Sequence, residues 1–443
     1  MRAREQVSSE LSRDSARALA SAAPMIGRSR GDGSRREEVL EAASSLIAAK
    51  GLGTSMQDIA DASGMLSGSL YYHFASRDAL LTELLRRYHA ELNAVADAAL
   101  ASLDEPSLRP GLAQIESVGA AIAECAVAHR AAIQISMYET PSSNDEFNEW
   151  ARRRPTPLLD AVYQILRGAR WTGYMRGDID LRVLADRICQ TMLEVGLDVV
   201  RHHAETLDVA GVLCRIILEG LASRPPTDAE LDASDAFAAA ESAISSWTDD
   251  SESLDRAAHI RAAARAEFGR RGYESTTLRD IAAAAGVTHG TVLRLLGSKE
   301  HLLAAIMGGF ADKIDAGARA VLESDASAVE KLDALSWVNI NALNRFGDEF
   351  RIQLAWMRRT PPDTSHPSAA VTSRLRKTDE LLRQGIRAGE LSVSDAPHDM
   401  LARCVNCLTW IPENILSDVG CRAALVHVRD TLLRGTAKPA VGA

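Results

Sequence analysis

One stretch of this chain is written twice, which restricts it to folds built from two related units. "DIADASGMLSGSLYYHFASRD" (residues 58–78) and "DIAAAAGVTHGTVLRLLGSKE" (residues 280–300) align at a constant offset of 222. Asp, Ile, Ala, two glycines and a serine are identical, while Ser69/Thr291, Leu70/Val292, Arg77/Lys299 and Asp78/Glu300 are close substitutes. The departure is concentrated where Tyr71, Tyr72, His73 and Phe74 become Leu293, Arg294, Leu295 and Leu296. Upstream, Gly51 and Gly272 stand 221 apart, so the first copy is one residue shorter in a loop, as duplication of a folded module allows.

The repeated text carries helix punctuation. Ser55 precedes Asp58 by three residues and Thr277 precedes Asp280 by three, so hydroxyl and carboxylate can cap free amides reciprocally. Ile59 and Ile281 point into a small core, and Gly64 and Gly286 close these helices. A second short helix begins near Ser67 or Thr288, giving three short helices with a glycine turn between the last two, the pattern of a helix-turn-helix. After the caps Ser76 and Ser298, apolar stripes (Leu80, Leu81, Leu84, Leu85, Tyr88; Leu302, Leu303, Ile306, Phe310) predict a long helix in each half. No alternating strand series interrupts the helical text, so the fold class is all-α, two tandem units, each a head on a helical body.

The expected organisation is a flexible basic arm over 1–33, a first head over 34–80 and a first body over 81–223. An acidic linker, with room for one short helix, follows over 224–252, then a second, divergent head over 253–302 and a second body over 303–443. The formal charge of -10 rules out polyanion binding by bulk electrostatics and demands a local basic surface for any nucleic acid. Six scattered cysteines in apolar helical text read as buried thiols of a reducing compartment; Cys404 and Cys407 lack a second ligand pair and read as a core-facing pair. Neither a secretory leader nor a membrane span is legible, which implies the cytoplasm. No convergent nucleophile, acid/base or metal set points to an enzyme, and no cofactor is implied.

A helix-turn-helix places the start of its second helix in the major groove. In the first copy Ser67 and Ser69 are short enough to approach bases or phosphates, and Gly68 leaves the approach open. Tyr71 and Tyr72 can donate hydroxyl hydrogen bonds to phosphates, and His73 can add a ring donor. Arg77 and, from the first helix, Arg35 and Arg36 supply charge. The competing reading packs Tyr and His beneath a polar rim; Phe74 belongs to the core.

"TSMQDIADASGMLSGSLYYHFASRDALL" resembles the signature of the tetracycline-repressor (TetR) family, and "YESTTLRDIAAAAGVTHGTVLRLLGSKEHLL" is similar to it without the aromatic centre. The resemblance implies that Thr54 and Ser55 lie by the DNA backbone, that Ser67, Gly68 and Ser69 are base-proximal, that Tyr71 and Tyr72 clamp phosphates, and that Arg77 is the basic residue opening the fourth helix. On the second copy, Thr276, Thr277, Thr288, His289, Thr291 and Lys299 match family positions, with Leu293 in the aromatic place and Arg294 as a compensating charge. Two readings stand for that copy: a degenerate head kept for packing, or one that binds DNA more weakly or at another sequence. "GMLSGSLYYHF" further resembles the actinobacterial branch controlling steroid degradation through acyl-coenzyme A ligands.

For the bodies, the resemblance implies a dimerisation surface and a pocket for a hydrophobic small-molecule effector, with an acyl-coenzyme A among the candidates. Met137, Tyr138, Phe147, Tyr163 and Trp171 are candidate lining residues in the first body, and Trp337, Phe350 and Trp356 in the second, each with plain core as the alternative. The two units can pair internally as a pseudo-dimer, or the chain can form a homodimer with four heads. The resulting function is a ligand-responsive transcriptional repressor on double-stranded operator DNA; the alternative is a helical binding module with relic heads.

Overall fold

Ser55 and Thr277 each open a helix by the reciprocal cap that the sequence predicts. In the first copy Asp58 N donates to Ser55 Oγ at 3.1 Å and Ser55 N donates to Asp58 Oδ2 at 2.9 Å. In the second the corresponding distances are 3.2 Å and 2.8 Å. These bonds hold the Asp58 carboxyl below its usual range, and hydrogen bonding from Thr277 brings Asp280 to about 2. Gly64 and Gly286 then turn the chain at φ +63° and +61°, where a side chain would strain the backbone.

The computed structural model describes residues 32–50, 53–104, 111–138, 142–202, 205–247, 255–273, 276–357, 368–392 and 396–438. They form two units, one built from residues up to 221 together with those from 430 onward, the other from 222–357 and the later residues up to 429. Among the described residues the elements are helical, with β pairing confined to the isolated bridges Met175–Ala437 and Ala222–Leu391. No single described helix is long and apolar enough to cross a membrane.

The first unit's head comprises α1 (Asp32–Lys50), α2 (Met56–Ala62) and α3 (Ser67–His73), and α4 (Arg77–Ala101) leads into the body. Val39, Leu40, Ala43, Ile47, Ile59, Leu70 and Phe74 fill its small core. The body adds α5 (Leu112–Ala128), α6 (Arg130–Tyr138), α7 (Asp145–Ala151), α8 (Thr156–Trp171), α9 (Leu181–His202) and α10 (Thr206–Glu219). α5 lies against α9 and α10, and α4 against α8. The α5–α9 approach depends on Gly196, where a Cβ would stand 2.9 Å from the Ala126 carbonyl. The chain's last described residues also belong here: Thr436 N donates to Ile217 O at 3.1 Å, Ala437 N to Leu218 O at 2.8 Å and Lys438 N to Tyr174 O at 2.8 Å.

The second unit begins in the stretch that composition marks as an acidic linker. There α11 (Asp228–Asp232) and α12 (Asp235–Ser245) form, and α12 packs on the body. Ala236, Ala240 and Trp247 enter a core with Phe310, Ile314, Val338 and Phe346. The second head is α13 (Arg256–Arg271), α14 (Leu278–Ala284) and α15 (His289–Leu296). Its body comprises α16 (Lys299–Glu323), α17 (Ala328–Arg345), α18 (Gly347–Met357), α19 (Ser368–Arg387), α20 (His398–Leu408) and α21 (Glu413–Val428). Arg429 is fully buried and meets Asp333, itself 1% exposed, through bonds of 2.8 Å from Nε and Nη2. Asp228 at 3.0 Å and Asp232 at 2.7 Å complete the cluster, pinning α11 to the body of this unit.

Candidate nucleic-acid interface

α3 is short, and Leu70 is its sole buried residue, so most of its surface faces outward. Ser69, Tyr71 and Tyr72 are exposed, the tyrosines by 52% and 81%, and nothing lies within 4 Å of where a Gly68 Cβ would sit. Tyr72 and His73 meet edge to face at 5.5 Å. The rim reading of these tyrosines, in which they pack beneath polar groups, does not describe this arrangement. Ser67 is half-buried, and its hydroxyl donates to Gln57 Oε1 on α2 at the surface, tying the two helices of the motif together.

The basic residues are more committed than their charges suggest. Arg36 pairs with Glu83 at 3.2 Å and stacks over Phe74 at 4.7 Å, and Arg35 pairs with Glu38. Arg77 Nε donates to Thr54 O at 3.4 Å, and Lys299 Nζ reaches Tyr273 O at 2.9 Å and Thr276 O at 3.1 Å. Both copies therefore use the first residue of their long helix to hold the loop that precedes the capped helix. Thr54 and Thr276 are buried, and Thr276 Oγ1 donates to Gly272 O at 2.8 Å, so these hydroxyls sit inside the head and not at its rim. Ser55 and Thr277 remain exposed at the caps.

In the second head the corresponding exposed row is altered. Thr288 and Thr291 share a hydroxyl hydrogen bond of 2.9 Å, and His289 and Arg294 are exposed. Leu293 and Leu295 are exposed by 45% and 40%. The tyrosine positions are thus kept at the surface while their hydroxyls are gone.

Among the described residues expected to line an effector pocket, those of the first body stand apart, while Trp337 and Phe350 both pack against one core cluster of the second. Trp171 is 92% exposed at the end of α8, Phe147 is buried on α7, and Arg182 stacks over Tyr163 at 4.6 Å. Trp337 lies parallel to Phe237 of α12 at 5.8 Å, and Phe350 packs edge-on to Phe310 and Trp410. The side chains of Met137, Tyr138 and Trp356 lie outside the described residues, as does most of the basic arm. Sequence reasoning passed over polar groups in the first body: His89 Nε2 and Thr82 Oγ1 on α4 and Gln134 Oε1 on α6 are buried with no hydrogen-bond partner among the described residues. Burial lowers His89 to about 4, with the nearby Arg153 acting in the same sense. A pair of polar residues seven apart on one helix was the available signal.

The family model for bacterial regulatory proteins of the tetR family matches twice, at residues 39–84 and 260–306. The HTH-type transcriptional repressor KstR2 of Rhodococcus jostii (strain RHA1) is 33% identical over 199 residues, covering 44% of this chain and 94% of that protein. This chain belongs to the tetR family. The protein is therefore a transcriptional regulator carrying the family unit in tandem. KstR2 of Mycobacterium tuberculosis (strain ATCC 25618 / H37Rv) is 54% identical to this tetR-family protein over 56 residues, 12% of this chain and 28% of that one. The solved structure of the ketosteroid transcriptional regulator KstR2 of Mycobacterium tuberculosis is similar at 24% identity and a TM-score of 0.34, over 40% of this chain and 95% of that chain.

Proposed function

We propose that this regulator is a ligand-responsive repressor that reads operator DNA chiefly through its first head, residues 34–80, and that it acts in the cytoplasm beside its DNA. The observation that carries this is the outward row of Ser69, Tyr71 and Tyr72 on α3, intact in the first copy and replaced by apolar or altered groups in the second. Hydroxyls at these positions suit phosphate oxygens, while Gly68 and Ser69 leave room for base edges. The second head, residues 253–302, keeps the shape with weaker or different recognition through His289, Thr291 and Arg294. The relative from Rhodococcus jostii is named a repressor, which supports the sign of regulation.

The effector, a small hydrophobic molecule with an acyl-coenzyme A as the leading class, acts on the first body. Thr82 and His89 lie two turns apart along one face of α4, and α4 follows α3 after only Phe74, Ala75 and Ser76. A ligand that engages that face shifts the head only by preferring one position of α4 over another. Footprinting on the chain's own upstream region tests the reading. Tyr71→Ala with Tyr72→Ala should abolish protection, whereas Thr291→Ala with Arg294→Ala should leave one protected half; equal loss from both pairs would overturn the assignment to the first head.

A further inference from the structure

The second unit carries a basic cleft outside its helix-turn-helix head. It has a volume of about 390 Å³ and lies among α16, α17 and α19, with Lys331, Arg376 and Lys377 on its walls and Leu322 and Leu381 at its apolar side. Arg376 and Lys377 are exposed and Lys331 is half-buried, and no ion pair or side-chain hydrogen bond engages these three heads among the described residues.

That freedom is specific to this face. Elsewhere on α19 Arg374 meets Asp315 at 3.4 Å and Arg383 meets Asp379 at 2.8 Å. Glu380, the one carboxylate on the cleft wall, accepts from Gln384 Nε2 at 2.8 Å and faces Arg387 at 3.7 Å. Its hydrogen-bond and ion-pair partners are thus Gln384 and Arg387 and not Arg376 or Lys377, although both stand about one turn from it. Ser373 adds a hydroxyl at the opposite end of the same face. A local excess of positive charge on a chain of formal charge -10 concentrates small anions at this point.

We infer that this cleft binds a phosphate-bearing small molecule of nucleotide size. Guanidinium and ammonium groups lining one cleft from two helices suit a diphosphate, and Arg376 can engage two oxygens at once. The leucines offer a surface for a flat or aliphatic portion, and the volume lies within the range of small-ligand sites. This site is distinct from the polar face of α4 in the first unit and does not depend on the repressor reading.

Isothermal titration of the full chain with ADP, pyrophosphate and adenosine tests the inference. Saturable binding of ADP is expected, with pyrophosphate competing and adenosine not binding. The combined variant Lys331→Gln, Arg376→Gln and Lys377→Gln should weaken ADP at least tenfold with an unchanged thermal melt, and Lys377→Arg alone should retain binding. Absence of saturable ADP binding at low salt, equal affinity for adenosine, or ADP binding untouched by the triple variant would each overturn it. So would a triple variant that lowers affinity for random duplex DNA while leaving ADP unaffected, since the face would then be a nucleic-acid surface.

Discussion

Tyr71 and Tyr72 place hydroxyls in solvent from a helix whose core contact is Leu70 alone, so changing them separates recognition from stability. A hydroxyl hydrogen bond to a charged phosphate contributes about 1.5–3 kcal/mol. Tyr71→Phe should therefore weaken operator binding roughly ten- to 150-fold, equally across operator variants, with no change in the melting midpoint; fluorescence anisotropy and calorimetry read the two quantities. His89 makes a prediction of the other kind. Its imidazole is held neutral in the fold to about pH 4, whereas an unfolded histidine titrates near 6.5. The unfolded state thus takes up the proton first, and the stabilisation is complete above about 6.5 and lost as pH falls toward 4. Urea midpoints measured across that window should decline for the wild type and flatten for His89→Phe.

Among the elements, the heads were largely legible because their determinants are local. A capping box spans four residues, and a glycine turn follows from one φ; the bonds of Ser55 with Asp58 and Thr277 with Asp280 answer those signals directly. Ser55→Ala should cost about 1 kcal/mol of first-unit stability in chemical denaturation. Two things resisted reading. α12 carries acidic residues on its outside, and the apolar face formed by Ala236, Ala240 and the following Trp247 has no local partner to announce it. The roles of Arg77 and Lys299 were also hidden, because each depends on a carbonyl more than twenty residues away. Size alone does not single out pocket residues, since an aromatic side chain fits a core, a wall or, as Trp171 does, the open surface. At the level of α15, Leu293→Tyr together with Arg294→Tyr should raise the affinity of a chain whose first head is disabled, measured by electrophoretic shift.

For the molecule as a whole, acidity and the ion pairs that engage Arg35 and Arg36 predict a shallow salt dependence. Arg35 and Arg36 are already paired with Glu38 and Glu83, so they displace few ions from DNA. Each phosphate neutralised contributes about -0.9 to the slope of log K against log salt, and a tyrosine hydroxyl neutralises none. The slope for operator binding should be small and the same in wild type and Tyr71→Phe, whereas a loss of slope in that variant would place a cation where the hydroxyl is expected. The first unit also uses residues from the far end of the chain. Gly220 and Gly435 meet so closely that a Cβ on Gly220 would lie 2.4 Å from Leu433 O, and Arg176 holds Asp430 at 3.1 Å. During synthesis the ribosome makes α10 long before these partners exist, with a gap of roughly 10–40 s at ordinary elongation rates. The unit that begins first is thus the one that can be finished only last, and a stop codon after Arg429 would injure the beginning of the protein.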